Sequence, residues 1–104
     1  SVIRLSGDKA FSIIQKITKN KLKTQISVVK FPLNADLIEK CVLTIFKAPN
    51  SYTGEDVVEI STHGNPYIVE EVIKKCLDSG AKIAKPGEFT LRAYINNKLT
   101  LDKS

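Results

Sequence analysis

Apolar and polar positions follow two different periods along this chain, and each change of period marks a new element. The opening "SVIRL" is short, apolar and β-branched, which predicts a strand. Ser6-Gly7-Asp8 then opens a helix in which Ala10, Ile13, Ile14 and Ile17 recur at helical spacing. Ser6 is placed to cap that helix, and Asp8 to sit in its first turn at the positive end of the dipole. "ISVVKFPL" and "LIEKCVLTIFK", joined across Asn34-Ala35-Asp36, predict an antiparallel hairpin. After the turn-rich "APNSYTGE", "DVVEIST" sets Val58, Ile60 and Thr62 against Val57, Glu59 and Ser61, and one set faces a core. A second helix follows "HGNP", with Asn65 as cap and Pro66 near its first position. Its apolar stripe is Ile68, Val69, Val72, Ile73, Cys76 and Leu77, and Gly80 stops it. "AKIAK" predicts another strand, and "EFTLRAYINNKL", after Pro86-Gly87, a short helix running into a loop. The order implies an α+β sandwich: a mostly antiparallel mixed sheet with helices packed on one face.

At 104 residues the chain is one domain, 1–104, with no repeats or low-complexity tracts. It starts without Met and breaks off in "LTLDKS" as a new periodic segment begins, so it reads as a fragment. No apolar run approaches the length of a membrane span, and the N-terminus turns polar too soon for a signal peptide. Cys41 and Cys76 form no CxxC pair; two isolated thiols suit a reducing compartment and act as small core residues. The net charge of +5 is uneven, with 9 Lys/Arg against 3 Asp/Glu in residues 1–52 and 7 against 8 in the rest. The lysines of "KITKNKLK" at 16–23 read most simply as a solvated helix end; the sharper alternative is a patch that meets RNA phosphates. No aromatic residues alternate with them, which argues against a base-stacking platform.

The chain has no GxxxxGK[ST] loop, and Gly54 and Gly64 are too isolated for a dinucleotide fingerprint. His63 is either a turn residue before the second helix or a ligand contact, and with Ser61 it makes at most a weak pair lacking a third member. Glu59 stands out, because a carboxylate between Val58 and Ile60 is costly unless paired. It is either the polar half of an alternating strand or, if its face meets a cleft, an acceptor for two parallel N–H donors. Arg4 poses the same choice between surface charge and anion contact, and Lys98 reads as an exposed loop cation.

Three strings taken together go further. "VIRLSG", "KAPNSYTGEDVVEISTHGNP" and "GAKIAKPGEFTLRAYINNKLTL" closely resemble the N-terminal domain of the MnmE (TrmE) tRNA-modification GTPase family, in family order from residue 2 to about 102. The stretch 20–40 matches only in length and character. The resemblance implies an aminomethyltransferase-like, tetrahydrofolate-binding fold that mediates homodimerisation, cut from a parent with helical and GTP-binding domains. It implies 5-formyl- or 5,10-methylene-tetrahydrofolate as cofactor here, with GTP, magnesium and potassium confined to the GTP-binding domain. The parent would be a cytoplasmic GTPase that modifies the wobble uridine of tRNA at carbon 5 with a flavin-dependent partner, MnmG (GidA). This domain would have no catalytic residues or metal of its own. By the same resemblance Glu59 grips the pterin, and Arg4 and Lys98 are the other cofactor-binding residues. The alternatives are a basic RNA-binding module and a purely structural dimerisation domain. Two positions depart from the family pattern: Asn65 where it usually reads Gly, and Thr100 where it reads Asp. Asn tolerates positive φ, which would preserve the turn at 65, while the lost Asp removes a charge near Lys98.

Overall fold

A computed structural model describes residues 1–51, 54–84 and, for the backbone, 98–102. Its elements run β1 (Val2–Ser6), α1 (Ala10–Thr18), β2 (Ile26–Asn34), β3 (Leu37–Phe46), β4 (Val57–Ser61), α2 (Pro66–Asp78), β5 (Lys82–Ile83) and β6 (Lys98–Asp102). The strands form one mixed sheet in the order β2-β3-β4-β1-β6-β5, antiparallel except for β5 with β6. The α+β class and the mostly antiparallel mixed sheet are as the sequence predicts.

The core lies on one face of that sheet. Alternation turns Ile3 and Leu5 of β1, Phe31 of β2, Leu43 of β3, and Val58 and Ile60 of β4 inward, all fully buried. The α1 stripe Ala10, Ile13, Ile14 and Ile17 packs onto them, with Val69, Val72 and Cys76 of α2. Ile68 and Ile73 are half-buried at the margin, and Leu77 is exposed. The β2–β3 turn forms where expected, with Asn34 Oδ1 accepting the Asp36 N–H at 2.9 Å. Asn65 caps α2 by accepting the Tyr67 N–H at 2.9 Å, and Pro66 follows it. Gly80, at φ 110°, takes the chain out of the helix.

Four expectations change. Ser6 does not cap α1; it stays in β1, in register with Val57 on one side and Lys98 on the other. Pairing on both edges holds it extended, and the chain turns only at Gly7 (φ 141°), whose N–H bonds Asp56 O at 2.9 Å. The helix therefore starts at Ala10 behind Lys9, with no acidic residue in its first turn, so Asp8 lies outside it. Asn65 has φ −72°, so its turn requires no positive φ and the cap is what Asn supplies. Lys98, read as part of a helix running into a loop, opens β6 instead, and the periodic segment that begins at Leu99 continues this strand along β1. Most of the proposed short helix, "PGEF" included, and Tyr52 and Thr53 lie outside the described residues.

Candidate ligand site on the outer face of the sheet

Among the described residues both helices pack on the inner face; the opposite face is exposed on β2 and β3 but covered at one end, where Ser6 and Val57, on the same side as Arg4 and Glu59, are buried. Strand register brings Thr44, Glu59, Arg4 and Thr100 into one row across β3, β4, β1 and β6. Arg4 and Glu59 are direct cross-strand partners, and because Ile3, Leu5, Val58 and Ile60 point inward, both point outward. Arg4 Nε donates to Glu59 Oε2 at 2.8 Å, with 27% and 26% of the side chains exposed. A carboxylate between Val58 and Ile60 is thus tolerated for two reasons: it faces away from them, and it is paired.

The pair also fixes the carboxylate's orientation. An ionised carboxylate has about four acceptor positions, so one bond from Arg4 leaves capacity for a planar group presenting adjacent N–H donors. Lys98, the third predicted site residue, lies in β6 with its backbone in register with Ser6, two positions along from Thr100 opposite Arg4. Its side chain is outside the described residues.

The outer face has an exposed apolar side on β2 and β3 that sequence reading overlooked. Ile26 and Val28 of β2 and Ile38 and Val42 of β3 are exposed on it, Val28 directly opposite Val42. Their signal is present in the sequence: "VV" at 28–29 and "VL" at 42–43 place apolar residues on both faces at once.

His63 lies beyond the end of β4, and its Nδ1 contacts the Glu39 carboxylate, so it is neither aligned with nor bonded to Ser61. The weak serine pairing is therefore not formed. Cys41 and Cys76 are buried core thiols, and burial pushes both pKa values up to about 12, Glu39 adding to the effect at Cys41.

The model of a known family, the GTP-binding protein TrmE N-terminus, matches residues 1–98. A tRNA modification GTPase MnmE from Francisella philomiragia is 46% identical over 104 residues, which cover 99% of this chain and 23% of that relative. The MnmE of Francisella tularensis subsp. holarctica is 50% identical over 101 residues, 96% of this chain and 22% of the relative. The chain thus spans less than a quarter of the length of these relatives. It belongs to the family of TrmE N-terminal domains.

Proposed function

We propose that this chain is a tetrahydrofolate-binding and homodimerisation domain of a GTPase that modifies the wobble uridine of tRNA at carbon 5. The observation that carries the ligand half is the Arg4–Glu59 pair standing outward on the sheet. Glu59, held by Arg4, would accept from the amino and ring N–H groups of a pterin, and Lys98 on the neighbouring strand would add positive charge. The folate would supply a one-carbon unit, as a 5-formyl or 5,10-methylene form. GTP, magnesium and potassium would belong to a GTP-binding domain outside this chain. A flavin-dependent MnmG-type protein would be the partner, and the cytoplasm the compartment. The naming of both relatives as tRNA modification GTPases supports this setting.

Titration calorimetry with 5-formyltetrahydrofolate tests the reading. Saturation near one ligand per chain is expected, and Glu59→Gln should weaken binding at least about tenfold, because an acceptor becomes a donor facing N–H groups. Unchanged affinity in that variant would remove Glu59 from the site. A second reading, a structural dimerisation domain without ligand, draws on the exposed Ile26, Val28, Ile38 and Val42. Dimers in sedimentation together with no heat of folate binding would favour it.

A further inference from the structure

The lysines after α1 are held in place. Lys19 ends the helix in the left-handed region (φ 58°), its N–H closing on Gln15 O at 2.8 Å. The Gln15 side chain then accepts the Leu22 N–H at 3.0 Å, and Leu22 packs against the core. Thr18 Oγ1 donates to Ile14 O at 2.8 Å and accepts the Asn20 N–H at 3.4 Å. With Leu22 turned in, Lys19, Lys21 and Lys23 stand exposed beside Lys16 of the last helical turn. Lys16, Lys19 and Lys21 line one depression of about 510 Å³, and Lys23 and Lys47 line another of about 370 Å³.

No acidic residue occurs between Asp8 and Asp36. Among the described residues, none of these five lysines forms an ion pair. One lysine at a helix end complements the dipole, but four like charges on this short anchored segment, with Lys47 across the depression that Lys23 lines, repel one another and favour a polyanion that neutralises them. The polar neighbours Ser12, Asn20 and Asn50 are suited to phosphate oxygens. There is no aromatic residue for stacking within 16–23, and Leu22 is not available as a wedge into lipid.

We propose that Lys16, Lys19, Lys21, Lys23 and Lys47 form a docking ridge for the phosphate backbone of a structured RNA stem, read by charge and shape rather than by base. The inference rests on the tRNA-modifying reading for the identity of the polyanion, and it places the contact away from the Arg4–Glu59 site.

The test is fluorescence anisotropy of this chain with a labelled tRNA anticodon stem-loop between about 50 and 200 mM salt. Lys19→Glu/Lys21→Glu/Lys23→Glu should weaken binding at least about tenfold and lower the salt slope by about three, roughly one per lost phosphate contact. Lys30→Glu/Lys40→Glu/Lys82→Glu changes net charge equally at exposed positions elsewhere and should weaken binding much less. The proposal is overturned if wild type shows no salt-dependent affinity, if the ridge variant binds as wild type does, or if both variants lose equally. Folate titration on the same samples separates the two readings. Retained folate binding in the ridge variant supports the ridge, and joint loss of folate and RNA binding refutes it. RNA binding that follows the ridge in a chain that never binds folate upholds the ridge while the folate reading falls.

Discussion

At the scale of single residues, the Arg4–Glu59 pair carries more meaning for binding than for stability. Both side chains retain about a quarter of their exposure, and pairs of this kind contribute about 1 kcal/mol or less. A double-mutant cycle with Arg4→Ala and Glu59→Gln, read by urea denaturation, should therefore return a coupling within that range. Loss of folate binding in Glu59→Gln would then reflect the site rather than unfolding. The thiols behave in the opposite way, being inert in function and informative about stability. Cys41 and Cys76 ionise near 12 when folded and near 9 when unfolded. Below pH 9 both states keep their protons; above it the unfolded chain releases them first, so stability falls as pH rises from 9 toward 12. The urea midpoint should decline over that window, and more shallowly in Cys41→Ala/Cys76→Ala.

At the scale of elements, α2 depends on its first residue. Asn65→Ala removes the bond to the Tyr67 N–H and should cost about 1 kcal/mol, whereas Asn65→Gly should cost only a few tenths, both measurable by thermal unfolding. Elements whose identity is written locally were legible in the sequence. The α1 stripe of Ala10, Ile13, Ile14 and Ile17 is buried throughout, and the hairpin turns where Asn34 and Asp36 require. What depends on a distant partner was not. Ser6 looks like a cap until β4 and β6 claim it from either side, and residues 98–102 are a strand only because β1 is there to pair with. The same limit applies to the candidate site. Arg4 and Glu59 could each be singled out by composition, but their contact follows from β1 lying next to β4, which no local pattern encodes. The outward apolar set at Ile26, Val28, Ile38 and Val42 was hidden among inward neighbours of the same chemistry.

On the scale of the whole molecule, the sheet has one face closed by helices and one face that is part polar, part apolar. The apolar part lies on β3 and on β2, the edge strand of the sheet among the described residues, a combination that invites association. If dimerisation uses this surface, Val28→Glu should shift sedimentation from dimer to monomer while leaving the far-UV circular dichroism unchanged, since Val28 is 68% exposed. A dimer that persists in this variant would place the interface elsewhere.

The position of β6 between β1 and β5 also has a consequence for biosynthesis. β1 is translated before every other element of the described chain, yet one of its two neighbours comes from the opposite end of it. At about 5–20 residues per second, β1 waits roughly 5–20 s on the ribosome for that neighbour. The β2–β3 hairpin closes over a short loop and needs no such delay. The nascent domain therefore passes through an interval in which its hairpin can form while the edge of β1 is still open to other chains.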